Sequence, residues 1–593
     1  MKRTGYSIRR ISRYAALTAF LCVLVAPGEA QSKPNPNLTD QHGKIDLSGG
    51  LVPAVSEALP VLRLSAQKPP EDFVRTALSA KGIGADRVQP LSAIAALSAK
   101  EGAIPPGFMG AFDGGHLAAY WNTDSGDTEI FPTFDDQKAV KFTSGNPQIS
   151  RAASLAKEVF DRPEILGRDA TQFDLGEPVP VLGQTAQRSA GQQTVADGDR
   201  MLYLTYVPVR RSVNGHPVYG PGSRAALALG NDGSVQGFVR HWKNAVPAGQ
   251  VTETRSQAQV QAEIQLQLQP LTQSADVTVL SVEAAYYDSN GDLLQPVYRI
   301  TARIHHGANT NATAAPGKQA DDDFVVSYLP IGGTSLPPVS RPILPSLDFP
   351  AKPGNAPPGD PTVGRYVVRN DDSNWVADAN EFWSGITAWF GWGLFTNSQY
   401  YWAYPFEFNT SELSYVNSVQ VGLNEVHGNW WYFTTYQNWG DGVDITAIPA
   451  SQGYGPARGG NLDYWILHSC EVVPSAIDAP CPTDSRAWWT PWFNVFQGLH
   501  SVVGYRTIMY IDDDVGYPFG LNLRFGASVV SAWFNAVNGA PDYFSHPTAT
   551  AHCGTALIMG KPSTISVCGH ENDNVFNTSA LPAASCLHNI WQN

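Results

Sequence analysis

The sequence predicts an α/β protein, with a mostly parallel sheet covered by helices on both faces in its C-terminal half and an α+β region before it. After residue 364, an amphipathic segment at 381–390 is followed by short apolar segments at 421–426, 432–436, 462–468 and 505–511. Buried strands that alternate with helices are typical of parallel or mixed sheets with two covered faces. A second amphipathic pattern, from Trp492 to Val502, predicts another helix of this region.

The first 30 residues have the pattern of a secretory signal peptide. Five basic residues precede the apolar run 15–26, and Gly28-Glu29-Ala30 ends in a small residue suited to signal peptidase. We therefore expect an exported protein, secreted or periplasmic. The apolar run is short for a membrane span, and no later segment reaches 18 uninterrupted apolar residues. Cys22 could suggest a lipid anchor, but it lies inside the apolar run.

Charge and cysteine content limit the class of function. Residues 1–30 carry five basic residues and one acidic residue, so their removal changes the net charge from −14 to −18. An acidic exported protein has no electrostatic reason to bind nucleic acid or anionic lipid. Five cysteines remain, at 470, 481, 553, 568 and 586. An odd number leaves at least one thiol outside any intramolecular disulfide, and two bridges among the last four would leave Cys470 free.

A proline-rich stretch divides the chain. Nine of the 31 residues in 331–361 are proline, which predicts an extended, semi-rigid linker. Fourteen of the 16 tryptophans follow it. The predicted organisation is a signal peptide at 1–30, a poorly structured segment at 31–70, an α+β region at 71–330, the linker at 331–361 and a second domain at 362–593.

Helical spacing and turn residues predict the elements of the α+β region. Apolar residues from Ala152 to Phe160, and from Val260 to Leu268 after Ser256 as a possible cap, recur at helical spacing. Hairpins are predicted around Asn214-Gly215, Asn231-Asp232-Gly233 and 288–292. The last loop imitates the start of a calcium loop, but Arg299 stands where the twelfth-position glutamate would be, which favours a plain turn.

This order of elements, with the turn Val-Asn-Gly-His-Pro-Val-Tyr-Gly at 213–220, resembles the PepSY-type pro-domains of secreted peptidases. The resemblance covers roughly residues 145–330. It implies an intramolecular inhibitor or folding aid. A generic α+β module without an inhibitory role is the alternative.

Two apolar segments end in residues that carry chemistry. The first, Val421 to Val426, delivers His427-Gly428, and the second, Leu462 to Leu467, delivers His468-Ser469-Cys470. If the two are neighbouring parallel strands, their carboxyl ends lie side by side, where ligands bind in open α/β sheets. A thiol and an imidazole would then meet, which is the arrangement of a cysteine nucleophile with its acid/base partner.

In this setting the paired segments look like the caspase, legumain and gingipain clan of cysteine peptidases, which places His-Gly after one strand and a small residue plus Cys after the next. The segment Phe496-Gln-Gly-Leu-His-Ser-Val-Val-Gly-Tyr505 is most similar to an uncharacterised secreted family within that clan. The resemblance implies a caspase-like three-layer αβα sandwich, with Cys470 as nucleophile and His427 as its partner.

Catalysis at such a site requires an activated thiol and hydrogen-bond donors for the oxyanion. A thiol needs a nearby imidazole, helix N-terminus or positive charge to become a thiolate, and acyl transfer needs two donors for the developing oxyanion. Gly428 has no Cβ, so its amide can approach a substrate closely, and the N–H groups of Gly428 and Cys470 are the candidate donors. His427 would protonate the leaving amine, and water would hydrolyse the thioester.

Three residues depart from the clan pattern. Val426 stands where the clan usually has glycine, and Leu-His-Ser-Cys-Glu replaces the caspase-type signature around the cysteine. His468 falls on the same strand face as Cys470 and could itself be the partner, although a core histidine is the simpler reading. Glu471 would oppose thiolate formation if its carboxylate pointed at the sulfur.

Other residues are candidates for substrate binding: Trp430, Asp441, Asp444 and Asp513. The carboxylates could select a basic side chain or bind calcium, with solvated loops as the alternative. Tryptophans near the site, at 430–431, 439, 488–489 and 492, suggest the rival function. That function is a catalytically inactive, clan-like domain that binds glycan, cell wall or peptide through aromatic surfaces.

His552-Cys553 and Cys568-Gly569-His570 could together bind zinc, but in an exported protein a Cys553–Cys568 disulfide is the stronger expectation. No Gly-x-Ser-x-Gly, phosphate loop, dinucleotide fingerprint or His-Glu-x-x-His occurs in the sequence. We therefore predict no metal and no cofactor. The expected function is a secreted cysteine peptidase or amidase with a peptide or protein substrate. The chain would be made as a zymogen whose N-terminal half is its intramolecular partner. The sequence leaves the oligomeric state open.

Overall fold

The structure is a computed structural model. It describes residues 43–53, 59–93, 104, 107–167, 169, 171–189, 195–250, 254–273, 275–305, 323–332, 362–368, 373–388, 398–435, 438–478, 487–511, 515–541, 549–552, 555–557 and 560–593. The predicted signal peptide at 1–30 and linker residues 333–361 lie outside these ranges.

The strands, numbered in chain order, are β1 (Ile45–Asp46), β2 (Pro60–Ser65), β3 (Val88–Pro90), β4 (Phe108–Asp113), β5 (His116–Asn122), β6 (Thr128–Ile130), β7 (Val140–Lys141), β8 (Gln172–Leu175), β9 (Val179–Arg188), β10 (Val195–Asp197), β11 (Met201–Val213), β12 (His216–Tyr219), β13 (Ser223–Gly230), β14 (Val235–Trp242), β15 (Asn244–Gln250), β16 (Asp276–Asp288), β17 (Leu293–His305), β18 (Asp323–Pro330), β19 (Val363–Val367), β20 (Gln399–Trp402), β21 (Val421–Glu425), β22 (Gly428–Asn429), β23 (Tyr432–Thr435), β24 (Asn438–Asp444), β25 (Tyr464–His468), β26 (Ser501–Tyr505), β27 (Ala549–His552), β28 (Thr555–Leu557), β29 (Pro562–Val567) and β30 (Cys586–Gln592). The α-helices are α1 (Glu71–Ala80), α2 (Pro147–Phe160), α3 (Pro163–Leu166), α4 (Gln257–Leu268), α5 (Ser373–Ile386), α6 (Trp492–Val495), α7 (Gly516–Arg524) and α8 (Val529–Gly539).

The C-terminal half is built on five parallel strands in the spatial order β20-β19-β21-β25-β26. Every residue of β19, β21, β25 and β26 is buried, as expected for parallel strands with both faces covered. Helix α5 packs against β19, β21 and α7, while α8 packs against β26. The strand order reverses between β19 and β21, so a topological switch point lies at the centre of this sheet.

The sheet does not stop at the end of the parallel set. Strand β29 continues it antiparallel to β26, and β30 is antiparallel to β29. Strand β30 then pairs with β9 of the N-terminal half over seven residues, from Cys586↔Gln187 to Gln592↔Val181. From β9 the sheet extends through β11, β13, β14 and β6 to β5. The two halves of the chain therefore share one hydrogen-bonded sheet, although a proline-rich stretch separates them in sequence.

A second group of strands in the N-terminal half is centred on the β16–β17 hairpin. Strand β18 pairs with β17, β2 pairs with both β17 and β15, and β1 and β12 pair with β16. Strand β2, at residues 60–65, lies within the segment predicted to be poorly structured. That prediction is wrong for these six residues, because Leu62 and Leu64 are buried and the strand has partners on both sides.

Most local predictions for the N-terminal half are confirmed. Helices α2 and α4 cover the two predicted helical patterns, and Ser256 caps α4 in a capping box with Gln259. Asn214 and Gly215 have φ values of 51° and 82°, so they form the turn between β11 and β12. All three predicted hairpins are present.

Two predictions for the C-terminal half are wrong. The apolar pattern from Trp492 to Val502 forms only the four-residue helix α6, because the chain turns at Gly498 (φ 119°) and Val502 lies in β26. The strand expected at 505–511 lies four residues earlier, at 501–505. Both errors occur where nearly every side chain is buried, so that the spacing of apolar residues did not distinguish helix from strand.

Among the described helices, none has the length and apolar character needed to cross a membrane.

Candidate functional site

The two segments that carry the candidate catalytic residues are adjacent parallel strands. In β21 and β25 the register pairs Val421 with Tyr464 and ends with Glu425 opposite His468. The Val426 N–H then donates to the His468 carbonyl at 3.4 Å. His427 and Cys470 are each two residues beyond the last pair, so both follow the carboxyl ends of neighbouring strands.

Gly428 shows that the two strand ends are in direct contact. A Cβ built on Gly428 would lie 2.1 Å from Ser469 Oγ and 2.4 Å from the Cys470 carbonyl oxygen. These distances are far below any van der Waals contact, and the carbonyl is backbone that cannot turn aside. Only glycine fits here, because the chain after β21 passes directly over Ser469-Cys470.

Cys470 is not part of a disulfide, and 4% of its surface is exposed. Its sulfur accepts a hydrogen bond from the Met509 N–H at 3.4 Å and donates to the Met509 carbonyl at 3.7 Å. Met509 belongs to the segment that follows β26, so this segment covers the thiol. A substrate would reach the sulfur only after that segment moves.

His427 is held in place by aromatic packing. Its side chain is buried, and its ring lies edge-on to the indole of Trp375 in α5 at 4.9 Å between centroids. The His427 carbonyl accepts a hydrogen bond from the Thr434 N–H at 2.8 Å. The strand end and the β23 hairpin thus fix the backbone, while α5 fixes the ring.

His468 is bonded to a buried carboxylate. Its Nδ1 lies 2.6 Å from Glu425 Oε2 and 3.7 Å from Asp378 Oδ2, and all three side chains are buried. Burial raises the pKa of Glu425, and His468 opposes that rise. One side-chain nitrogen or oxygen from each of Asp378, Glu425 and His468 lies within 4.8 Å of the other two. The interaction with Glu425 accords with a satisfied core histidine, the simpler of the two readings from the sequence.

Backbone strain is concentrated around the site. In the described part of the chain, five non-glycine residues have positive φ, and two of them are the hairpin residues Asn214 and Asn290. The other three are Trp430 (23°), Trp431 (63°) and Glu471 (53°). Each such conformation costs about 1–3 kcal/mol and persists only where the surrounding structure enforces it, and these conformations cluster at functional sites.

Glu471 directly follows the candidate nucleophile. It is buried, with 1% of its surface exposed, and its N–H donates to the Thr507 carbonyl at 3.1 Å. Val473 N–H donates to Tyr505 O at 3.1 Å. The turn at Glu471 therefore leads the chain back along the segment that follows β26.

The predicted substrate-binding residues differ in what the structure shows. Asp444 caps a short 3-10 helix, because its Oδ1 accepts from the Thr446 N–H at 2.9 Å. Trp430 is half-buried and lies edge-on to Trp431. Asp513 and the side chain of Asp441 lie outside the described residues.

The tryptophans near the site are mainly core residues. Trp431, Trp488 and Trp492 expose 2%, 7% and 0% of their surface. Such side chains cannot form a binding platform without unfolding part of the domain, which weakens the rival function predicted from their clustering in sequence.

The cysteines near the C-terminus pair differently from the expectation. Cys568 is bonded to Cys586, so the expected Cys553–Cys568 disulfide is wrong. The same bond removes Cys568 from the alternative zinc site with His552, Cys553 and His570. Strand β29 is antiparallel to β30, and this places Cys568, just after β29, beside Cys586 at the start of β30. Cys481 and Cys553 lie outside the described residues.

Sequence reasoning missed the segment that covers the thiol and the strand that holds it. The N–H of Ile511 donates to the Phe324 carbonyl at 3.0 Å, and the N–H of Val326 donates to the Ile511 carbonyl at 3.3 Å. The rings of Phe324 and Tyr510 lie 5.1 Å apart. Phe324 and Val326 belong to β18, the last strand before the proline-rich stretch. No sequence signal links β18 to 509–511, because the contact joins residues almost 190 positions apart.

Glu425 was also missed, although a signal for it exists. Glu425 precedes His427 by two residues, as His468 precedes Cys470. Once the strands are taken as parallel, the spacing places Glu425 beside His468.

A family model and a solved structure each match part of this chain. The family described as DUF6345, a domain of unknown function, matches residues 364–564. No curated protein matches this chain. A solved structure of an uncharacterized protein from Eubacterium rectale ATCC 33656 aligns with 49% of this chain and 88% of its own, at 10% sequence identity and a TM-score of 0.27. The match to DUF6345 spans both strand ends that carry His427 and Cys470.

Proposed function

We propose that the chain is a cysteine hydrolase of the peptidase or amidase type, with Cys470 as nucleophile and His427 as its acid/base partner. The observation that carries the proposal is the contact of Gly428 with Ser469-Cys470 at the carboxyl ends of two neighbouring parallel strands. This is where α/β sheets bind ligands, and the cysteine there is not part of a disulfide. The strained backbone at Trp430, Trp431 and Glu471 gives further support.

The chemistry would run as acyl transfer. The Cys470 thiolate attacks the carbonyl carbon of a peptide or amide, forming the S–C bond and an oxyanion that the N–H groups of Gly428 and Cys470 stabilise. His427 gives its proton to the leaving amine as the C–N bond breaks. Water then attacks the thioester carbonyl, which releases the acid and restores the thiol. A caspase-like three-layer sandwich and a PepSY-like N-terminal region remain part of this proposal.

The proposal includes synthesis as a restrained precursor. The Cys470 sulfur is hydrogen-bonded to the backbone of Met509. Two residues later, the backbone of Ile511 is hydrogen-bonded to β18, the strand that directly precedes the proline-rich stretch. Cleavage within 333–361 would break the covalent connection between β18 and β19. Strand β18 could then shift together with residues 509–511, which would move away from the thiol. The disulfide between Cys568 and Cys586 supports export, because disulfides persist in oxidising compartments.

The test uses a thiol electrophile and a peptide library on the full chain. Iodoacetamide labelling of Cys470, mapped by mass spectrometry, is measured before and after limited proteolysis of the linker. We expect labelling and hydrolysis to rise after cleavage, and Cys470→Ala to abolish hydrolysis. Hydrolysis that survives in the cleaved Cys470→Ala protein would refute the assignment of the nucleophile.

The restraint itself is tested by two variants on one strand. Phe324→Ala removes the ring that packs against Tyr510 and should increase labelling of Cys470 in the uncleaved chain. Tyr328→Ala is the matched control, since Tyr328 lies on the same strand but its ring packs against Tyr287, 4.6 Å away. Equal labelling in the two variants would refute the role of β18.

A further inference from the structure

Two histidines and one aspartate meet at the amino-terminal ends of the parallel strands, opposite the ends where Cys470 lies. His500 directly precedes β26, so it lies at the amino-terminal ends of the parallel strands. His570 and Asp573 lie between β29 and β30. One donor atom from each of the three side chains lies within 4.8 Å of the other two.

A single carboxylate oxygen faces both imidazoles. Asp573 Oδ2 is 2.6 Å from His500 Nδ1 and 2.7 Å from His570 Nδ1. The two rings are almost perpendicular, with centroids 5.5 Å apart. The His500 side chain is fully buried, whereas 30% of the His570 side chain is exposed. The cluster is therefore built into the fold on one side and open to solvent on the other.

The second nitrogen of His500 fixes the protonation pattern. His500 Nε2 lies 3.0 Å from the Ser579 carbonyl, and because a carbonyl only accepts hydrogen bonds, Nε2 carries the hydrogen. In a neutral imidazole Nδ1 then presents a lone pair to the Asp573 carboxylate. Two acceptors at 2.6 Å require a positive charge between them, which is either a proton or a metal ion.

We propose that His500, His570 and Asp573 bind one zinc ion. Two imidazole nitrogens and one carboxylate oxygen are a donor set that zinc uses when it keeps a fourth position open. A metal-bound histidine usually donates its other N–H to a carbonyl or carboxylate, as His500 does to Ser579. Tetrahedral binding at bond lengths of about 2.0–2.1 Å would widen the two nitrogen–oxygen separations to roughly 3.3 Å.

The ion would fix a segment that holds the two halves of the chain together. Residues 568–577 start at the Cys568–Cys586 disulfide, and in this segment Asn574 Nδ2 donates to the carbonyls of Gly115 and Gly526, both at 3.2 Å. Gly115 belongs to the N-terminal half. This role does not depend on the Cys470 thiol, which lies at the carboxyl ends of the parallel strands.

The experiment measures zinc binding by the full chain. Protein stripped with a chelator and dialysed is titrated with Zn²⁺, and bound metal is counted by elemental analysis, with Co²⁺ as a spectroscopic probe of tetrahedral geometry. We expect one equivalent of zinc, a tetrahedral cobalt spectrum and a higher melting temperature in the presence of zinc. Absence of stoichiometric zinc from the folded protein would overturn the proposal and assign a proton to the cluster.

His570→Ala is the deciding variant, since the half-exposed side chain can be removed with little loss of core packing. Its zinc affinity should fall by more than about 100-fold, because even outer-shell changes cost about 10–100-fold. His216→Ala is the matched control: His216 is also half-buried, but its Nδ1 contacts the Ala284 carbonyl. Circular dichroism confirms the fold of both variants. Unchanged zinc affinity in folded His570→Ala would overturn the site.

Discussion

Glu129→Ala is expected to destabilise the contact between the N-terminal strands and two C-terminal helices. Glu129 lies on β6 and exposes 1% of its surface. One carboxylate oxygen contacts His241 Nε2 at 2.9 Å and accepts from the Tyr120 hydroxyl at 3.3 Å. The other accepts from Asn522 in α7 at 3.0 Å and from Asn535 in α8 at 3.1 Å. A single buried carboxylate therefore joins four side chains from both halves.

The loss of unfolding free energy expected for Glu129→Ala follows from these contacts. Burial alone lowers the pKa of His241, but Asp127 and Glu129 outweigh it and raise the pKa from 6.5 to about 9. A rise of this size corresponds to about 3 kcal/mol, shared between the two carboxylates. The lost amide bonds to Asn522 and Asn535 add about 1 kcal/mol each. With half of the His241 contribution assigned to Glu129, we expect a loss of about 3.5 kcal/mol, which agrees with the cost of removing one member of a buried ion pair.

The assay is urea denaturation of the wild type and Glu129→Ala between about pH 6 and pH 9.5. Because the folded pKa of His241 is raised, its contribution is complete below the unfolded pKa and is lost as the pH rises through about 9. The difference between the two proteins should therefore shrink with rising pH. Asp113→Ala, which breaks an exposed pair with Arg87, should cost less than about 1 kcal/mol. A pH-independent difference, or one as small as that of the control, would show that the Glu129–His241 pair does not stabilise the fold.

Two further substitutions test the site and the C-terminal segment. Gly428→Ala should cost about 1–3 kcal/mol, since its Cβ would meet the Cys470 carbonyl at 2.4 Å. Gly249→Ala, whose Cβ has no neighbour within 4 Å, is the control in the same denaturation assay. Replacing Cys568 and Cys586 by serine should cost about 3 kcal/mol, because the bond closes a loop with a sequence separation of 18. Equal stability under reducing and non-reducing conditions would contradict this value.

The sequence predicted much of the N-terminal half, because its signals are local. The turn at Asn214-Gly215 needs positive φ, and the Ser256 cap precedes a clear helical period. The C-terminal strands β21 and β25 were also predictable, since short apolar runs bounded by polar residues are typical of buried parallel strands. Local patterns failed where nearly every side chain is buried, as between Trp492 and Val502.

Long-range contacts explain what the sequence did not show. The pairing of β30 with β9 joins residues about 400 positions apart, and nothing in either strand identifies its partner. The burial of Cys470 beneath Met509 and the connection of Ile511 to β18 depend on the same kind of contact. In contrast, the sequence could predict that the strand ends carrying His427 and Cys470 are adjacent, because this follows from two neighbouring parallel strands.

We propose that Cys470 is the nucleophile of a hydrolase and that its thiol is covered until the linker is cut. The most direct measurement maps iodoacetamide labelling of Cys470 and follows hydrolysis of a peptide library in one preparation, before and after cleavage between β18 and β19. We expect both signals to rise together after cleavage and labelling to abolish hydrolysis. Hydrolysis that continues in fully labelled protein, or a thiol that stays unreactive after cleavage, would contradict this proposal.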